Sequence, residues 1–349
     1  MNQKTTENYL IIARYFTAVC ILVTLFISYR LWLPDESFPL IPAIDALPVL
    51  PASISKIALV LLAFSLLPFS FKPDMLLFVA IACLFGVLIQ TDINRLQPTY
   101  YIFLLILLCQ VSRKHPQTLM ILLFAGIYFW SGTHKFNAYF LEKWLGGLDK
   151  RIPFVPREFR IAFTYAVPFI EAAAGLMLLR LKTRRFASIV LVVMHLIIIA
   201  TLVKETGGYN VIPLNFLMIS ILLLVIYRSD VSIFYGFDFK KGAILATAWL
   251  LPTLNLFGWY DHFLSFSIMS GKPVYAAIYF NDKKIIEKLP TEAKPFLRQK
   301  DGQDYILLSE WAGTNKKIMI YPEKRVYKKL ENYLVGNDTD MVSLIEYRP

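Results

Sequence analysis

The chain has 349 residues, of which 57% are apolar and only 17% are charged, and its mean hydropathy is +0.54. Soluble proteins carry about 25% charged residues, so this composition excludes an ordinary soluble enzyme. The apolar residues come in runs of about 15 to 20, which are long enough to cross a bilayer as helices. We therefore predict an all-α polytopic membrane helix bundle.

Nine spans are predicted in chain order, near residues 9–30, 57–71, 74–90, 99–112, 117–133, 161–180, 186–203, 211–227 and 242–258. The second and fourth are short and are expected to be tilted or partly re-entrant, so a count of eight or ten stays open. Residues 28–32 offer no small-residue cleavage site, and the first span is therefore predicted to be retained rather than removed as a signal peptide.

The distribution of Lys and Arg predicts the orientation of these spans. With a cytoplasmic N-terminus, the inner loops carry Lys72, Arg113, Lys114, Lys182, Arg184, Arg185, Arg228, Lys240 and Lys241. The outer loop 34–55 has no Lys or Arg, whereas the long outer loop 134–160 has six, against the rule. The net charge of +11 is thus expected to meet the anionic lipid of a bacterial inner membrane, with the bilayer as partner and no nucleic acid.

Two elements are predicted outside the spans. Residues 134–148 have the spacing of an interfacial helix that ends at Gly146-Gly147. Residues 1–258 then form the membrane bundle, and residues 259–349 form a small α+β domain outside the membrane. In this domain we predict strands at 274–280, 305–308, 317–321 and 341–347, a turn at Asn281-Asp282 and a helix at 325–334.

Polar side chains inside the predicted spans indicate function, pairing or a wet cavity. They are Arg14, Asp92, Arg95, Glu171, His195 and Asn215. Glu171 and His195 lie on consecutive antiparallel spans, each about ten residues from their shared turn, so they are expected at similar depth, where they could face each other. Such a pair either handles a proton or locks two helices by a hydrogen bond, and both interpretations stay open. Two ligands are too few to predict a metal site.

The three cysteines, Cys20, Cys83 and Cys109, all lie in apolar runs. We interpret them as packing residues, and a redox role stays open.

The end of the fifth span carries a second candidate site. Ser131 and Gly132 permit a close helix approach, and Lys135 follows at the expected outer rim among aromatic residues. A lysine in apolar surroundings can act as a base, or its ammonium group can reach the membrane surface while its stem stays apolar.

Residues 128–137 (YFWSGTHKFN) resemble a segment of the HTTM domain, the membrane domain of vitamin K-dependent γ-carboxylases and their bacterial relatives, a group distantly similar to DoxX- and MauE-like proteins. Weaker matches are residues 92–98, Glu171 with His195, residues 208–215 and residues 259–267, so the resemblance covers about residues 8–270. It implies that Lys135, beside His134, is a catalytic base. It also implies a quinone-like molecule, for which we predict contacts with Phe129, Trp130, Phe136 and Tyr139.

Three functions stay open at this point. The first is a partner-binding or maturation factor for a membrane or envelope client protein, in line with MauE-like proteins. The second is a quinone-linked enzyme, either carboxylase-like or redox-active, with Lys135 as base. The third is a proton-coupled transporter that uses Glu171 and His195. The sequence has no metal-binding or nucleotide-binding motif.

Overall fold

A computed structural model describes residues 3–33, 36–48, 50–112, 115–204, 209–234, 236–267, 269–273, 275–280, 283–336 and 343–348. This part of the chain is mostly helical. Five of its helical segments are long and apolar enough to cross a membrane: Glu7–Ile27, Ala52–Phe71, Arg157–Leu178, Leu181–Lys204 and Tyr209–Ile226. They correspond to five of the nine predicted spans, so the chain has the helices of an integral membrane protein.

The helices, in chain order, are α1 (Gln3–Ile27), α2 (Tyr29–Trp32), α3 (Ala52–Phe71), α4 (Met75–Thr91), α5 (Pro98–Gln110), α6 (Pro116–His134), α7 (Ala138–Arg151), α8 (Arg157–Leu178), α9 (Leu181–Lys204), α10 (Ile212–Ile221), α11 (Phe239–Leu245), α12 (Leu251–Leu254), α13 (Lys283–Lys288), α14 (Leu308–Asn315) and α15 (Lys324–Val335). Wider π-helical turns follow α10 at Leu222–Ile226 and join α11 to α12 at Ala246–Leu250. Both α5 and α6 begin with a proline, at a position whose N–H would have no helical partner.

The chain forms two compact units. The first comprises Met1–Ile27, Ala63–Ala82 and Pro98–Lys272, and the second comprises Ser28–Leu62, Cys83–Gln97 and Pro273–Pro349. The predicted domains 1–258 and 259–349 stay a prediction.

The core of the first unit is centred on α6, which is buried along nearly its whole length. Its neighbours approach closely: Trp249 donates from Nε1 to the Leu122 carbonyl at 3.0 Å. At the other side of this unit, the buried Arg184 closes the end of α8 by donating to the Leu178 carbonyl at 2.8 Å. It also donates to the carbonyls of Ser229 and Val231 at 3.0 and 2.9 Å. Arg184 therefore fixes the turns that follow α8 and α10.

The second unit contains a four-stranded antiparallel sheet in the order β2-β3-β1-β4. Its strands are β1 (Tyr275–Phe280), β2 (Leu297–Lys300), β3 (Gln303–Leu307) and β4 (Ser343–Arg348). In the central register, Ile278 of β1 lies opposite Ile306 of β3 and Ile345 of β4. The predicted strands at 274–280, 305–308 and 341–347 and the predicted helix at 325–334 are confirmed within the described residues, and the predicted turn at 281–282 lies outside them.

The strand predicted at 317–321 is wrong. Its backbone groups bond to side chains of the segment before α5 and not to a neighbouring strand. The Tyr321 N–H donates to the Asn94 side-chain oxygen at 2.9 Å, and the Met319 carbonyl accepts from the Gln97 amide at 2.8 Å. Ile318, Ile320 and Tyr321 are nevertheless buried, which explains the strand-like pattern.

The helix predicted at 134–148 exists with different bounds, since α7 runs from Ala138 to Arg151. Asn137 caps it by accepting from the Phe140 N–H at 2.8 Å, and His134 belongs to the preceding helix. The helix continues through Gly146-Gly147, where it was predicted to end. Leu148, the next residue, is buried and lies in the same helix.

Candidate functional site

Two glycines bring α6 and α8 into backbone contact. A Cβ atom added at Gly132 would lie 2.5 Å from the Ala172 nitrogen and 2.7 Å from the Pro168 oxygen. One added at Gly175 would lie 2.7 Å from the Phe129 nitrogen. Side chains with a Cβ would push these backbones apart, so the two glycines set the distance at which groups on α6 and α8 can meet.

Lys135 and Glu171 meet across this contact. The Lys135 ammonium nitrogen lies 2.7 Å from a Glu171 carboxylate oxygen, and the two side chains are only 11% and 7% exposed. The same nitrogen donates to the Ser131 hydroxyl at 2.7 Å and lies 3.2 Å from the Ser131 carbonyl oxygen. Lys135 is thus a buried cation that interacts with the Glu171 carboxylate and with the Ser131 hydroxyl and carbonyl oxygens. Its predicted place at the outer rim of the span stays a prediction.

The pair lies deep along α8. Glu171 follows Arg157, the first residue of that helix, by 14 positions, which corresponds to roughly 21 Å at about 1.5 Å per residue. Its surroundings on α8 are apolar or small, and Ala174 and Leu178 are buried on the same side of the helix. An ion pair in such surroundings keeps its charges only through close contact and additional hydrogen bonds.

A second polar chain connects α6 with α9 and α10. The Tyr128 hydroxyl lies 2.7 Å from His195 Nε2, and His195 Nδ1 lies 2.7 Å from the Asn215 side-chain oxygen. The Asn215 amide nitrogen donates to the Val211 carbonyl at 2.8 Å, which leaves its oxygen as an acceptor for the ring. His195 therefore donates from Nδ1 and accepts the Tyr128 proton at Nε2, as a neutral imidazole does.

No hydrogen bond joins Glu171 to His195 among the described residues, and their predicted facing at similar depth stays a prediction. Glu171 bonds to Lys135 and His195 bonds to Tyr128, since α6 supplies a partner to each of the two helices. Tyr128 is not among the predicted site residues, although it lies on the same face of α6 as Ser131 and Lys135, at spacings of three and four residues. That spacing is the signal that would have identified this polar face.

Two of the four aromatic residues predicted as quinone contacts pack against each other, since the ring centroids of Phe129 and Trp130 are 5.0 Å apart. Each of these residues also has a neighbour outside the predicted set. Ring centroids are 5.6 Å apart for Phe129 and Trp249, 5.8 Å for Trp130 and His134, and 4.7 Å for Phe136 and Phe169. The Tyr139 ring instead forms a cation–π contact with Lys143, whose ammonium nitrogen lies 5.5 Å from the ring centroid. These contacts do not test the predicted quinone site, which stays a prediction.

His134 belongs to a different cluster from that of Lys135. The Lys272 ammonium lies 3.3 Å from His134 Nδ1 and donates to the Asn255 side-chain oxygen at 2.8 Å. Burial lowers the pKa of Lys272 below its ordinary value. The neighbouring Asn137 amide donates to the Ser270 carbonyl at 2.7 Å, which fixes the segment that carries Lys272.

In the second unit, Asp92 and Arg95 have structural roles. The fully buried Arg95 donates to the carbonyls of Leu31, Trp32 and Leu88 and to the hydroxyls of Ser55 and Thr91. Asp92 accepts from the Asn94 backbone N–H at 3.1 Å and caps the short 3₁₀ turn that contains Arg95.

Cys20 and Cys109 are buried and Cys83 is exposed, and all three are free thiols. Arg14 lines a separate cavity of the first unit.

No family model matches the chain, and comparisons with curated proteins and with solved structures give no match either. The resemblance to the HTTM and DoxX-like groups therefore stays a prediction.

Proposed function

We propose that the protein is a membrane enzyme in which the Lys135–Glu171 pair is the acid–base centre for an apolar substrate with an acidic O–H or C–H group. The observation that carries this proposal is a lysine and a glutamate 2.7 Å apart, both buried between two helices of an apolar bundle. Ionisable groups are rare in such positions because their burial is costly, and they mark function more often than architecture.

The chemistry follows from the environment of the pair. In low-dielectric surroundings a proton moves between a carboxylate and an ammonium at little cost, because the neutral pair avoids two buried charges. Transfer of the Lys135 proton to Glu171 leaves a neutral amine that can take a proton from the substrate. Ser131 then positions the amine through its hydroxyl group, 2.7 Å away.

The substrate class is inferred from the surroundings of the pair. Phe136 follows Lys135 directly, is 47% exposed, and packs edge-on against Phe169, which is also exposed. In a bilayer this aromatic pair would face lipid, so we propose that the substrate approaches from the hydrocarbon region. A quinol fits this chemical class.

We further propose a bundle of nine spans in a bacterial inner membrane, with a cytoplasmic N-terminus, an external C-terminal domain and membership of the HTTM group. The apolar helices Met75–Thr91 and Pro98–Gln110 support additional spans, as does the 19-residue buried helix α6. Two helices of 17 and 13 residues are shorter than a straight crossing requires and would be tilted or helped by neighbours.

The enzyme proposal is tested with membranes that contain the wild-type protein or a variant, supplied with a quinol while oxygen uptake is measured. Lys135→Met should abolish protein-dependent uptake, and Glu171→Gln should reduce it by about 10²-fold or more, as expected for loss of an acid–base group. Arg185→Gln changes an exposed ion pair of the same unit and should leave uptake unchanged.

Unchanged uptake in Lys135→Met, with normal protein levels, would overturn the enzyme proposal. A client protein that co-purifies equally with wild type and Lys135→Met would then favour the partner-binding function.

A further inference from the structure

A cavity of about 320 Å³ lies in the first unit, between the first half of α1, the end of α5 and the start of α6. Its lining combines polar groups with apolar ones: Glu7, Ile11, Arg14, Gln110, Ser112 and Met120. Glu7 precedes Arg14 by seven residues, or roughly 10 Å along the helix, so one charge of each sign lines the cavity. None of these residues belongs to the Lys135–Glu171 pair or to its hydrogen-bond partners.

Two buried polar atoms of this lining have no hydrogen-bond partner among the described residues, Arg14 Nε and Gln110 Oε1. Gln110 is only 7% exposed, and an unpaired polar atom in such a position costs about 1–3 kcal/mol. Buried polar atoms are nearly always paired, so two of them in one cavity indicate a ligand that supplies both an acceptor and a donor.

The orientation of the Gln110 amide is set by its neighbours. The Thr17 hydroxyl donates to the Ala13 carbonyl at 2.7 Å, so its oxygen is left to accept from the Gln110 amide nitrogen, also at 2.7 Å. The side-chain oxygen of Gln110 is therefore the atom left for a donor, while Arg14 Nε requires an acceptor.

We propose that this cavity binds the headgroup of a phosphatidylethanolamine molecule. Its phosphate would accept from Arg14, and its ammonium group would donate to Gln110 and interact with the Glu7 carboxylate. Ile11 is 37% exposed at the same place, which gives the acyl chains an apolar path along α1. The site is independent of the proposed enzymatic function.

The test is native mass spectrometry of the detergent-solubilised full-length protein, titrated with one lipid at a time. Phosphatidylethanolamine should bind at least about tenfold more tightly than phosphatidylcholine, whose trimethylated ammonium has no N–H to donate to Gln110. Water-soluble glycerophosphoethanolamine carries the same polar groups without acyl chains and should bind far more weakly than the lipid.

Three variants locate the site. Arg14→Gln should weaken phosphatidylethanolamine binding by about tenfold or more. It is expected to fold, because Arg14 forms no ion pair with any residue that the structure describes. Gln110→Met should reduce the preference for phosphatidylethanolamine over phosphatidylcholine. The control Arg180→Gln removes a positive charge from an exposed turn of the same unit and should change neither quantity.

Equal binding of the two lipids by the wild type would overturn the proposal. Binding of glycerophosphoethanolamine as tight as that of the lipid would indicate a soluble phosphate ester and would also overturn it. If Arg14→Gln and Arg180→Gln weakened phosphatidylethanolamine binding equally, the effect would come from a non-specific loss of positive charge. That result would contradict the proposed site.

Discussion

The ion pair of Lys135 and Glu171 makes a direct prediction for stability, because removal of one partner leaves the other charge buried and uncompensated. Such a loss costs about 3–5 kcal/mol in proteins, whereas replacement of both partners is often nearly neutral. We expect Lys135→Met and Glu171→Gln each to lower the thermal unfolding midpoint in detergent, and the double variant Lys135→Met/Glu171→Gln to recover part of that loss.

The exposed pair Arg185–Asp230, at 3.4 Å, is the matched control for this measurement. Arg185→Gln should change the free energy of unfolding by less than about 1 kcal/mol. If the losses of the two single variants of the buried pair simply added in the double variant, the pair would have no coupling energy and the prediction would be wrong.

The side chain of Tyr333 predicts that the stability of the second unit depends on pH. Burial raises its pKa to about 12, with further contributions from its hydrogen bond to Glu292 and from the charge of that carboxylate. In the unfolded chain a tyrosine loses its proton near pH 10. The folded state holds the proton more tightly, so the contribution of Tyr333 is complete below about pH 10 and is lost as the pH rises toward about 12.

Unfolding of the full-length protein measured between pH 9 and pH 12 checks this dependence. Tyr333→Phe has no proton to lose and should show a smaller fall in stability over that window than the wild type. A fall of the same size in both proteins would show that other groups cause it.

At the residue scale, the sequence predicted which side chains are unusual but not which of them pair. Lys135, Glu171 and His195 were identified because each is ionisable within or beside an apolar run. Their partners depend on how three helices are rotated and shifted relative to one another. A uniformly apolar span does not encode this arrangement, because its lipid-facing side and its buried side are both apolar. Tyr128 is different, because its spacing from Ser131 and Lys135 along α6 is visible in the sequence.

At the scale of secondary structure, the glycines at the α6–α8 contact predict that added methyl groups lower the stability of the protein. Gly132→Ala would place a methyl group 2.5 Å from the Ala172 nitrogen, and Gly175→Ala would place one 2.7 Å from the Phe129 nitrogen. Because both neighbours are backbone atoms that cannot rotate away, we expect each change to lower stability by about 1–3 kcal/mol.

Gly86 is the control, since it is also helical and an added methyl group would meet no atom within 4 Å. Gly86→Ala should be neutral or stabilising by up to about 1 kcal/mol, because alanine is the better helix former. Thermal unfolding in detergent compares the three variants. A Gly132→Ala protein as stable as Gly86→Ala would contradict the close packing of α6 against α8.

Among the secondary-structure elements, those with a strong local signal could be predicted and those set by distant contacts could not. The long apolar helices and the amphipathic helix α15 were predicted from composition and spacing. The segment 317–321 has strand-like residues, but Asn94 and Gln97, more than 200 positions away, bond to its backbone. The π-helical turns Leu222–Ile226 and Ala246–Leu250 likewise have no signature in an all-apolar sequence.

For the whole molecule, the distribution of Lys and Arg predicts the orientation of the chain in the membrane, which helix packing alone does not determine. The hydrophobic effect and helix packing are the same for either direction of insertion, so only Lys and Arg in the loops distinguish them. Lys182, Arg184 and Arg185 lie at the start of α9, on the side proposed to be cytoplasmic. The β2–β3 turn near Lys300 belongs to the part of the chain proposed to be external.

Cysteine labelling with a membrane-impermeant maleimide tests this orientation in intact cells. Exposed Lys182 and Lys300 are replaced one at a time in a Cys83→Ser background, because Cys83 is the exposed native thiol. Lys300→Cys should be labelled from outside, whereas Lys182→Cys should be labelled only after permeabilisation, since the three predicted spans after Lys182 reverse the side. Labelling of both positions from the same side would require an even number of spans between them, and the opposite pattern would invert the proposed topology.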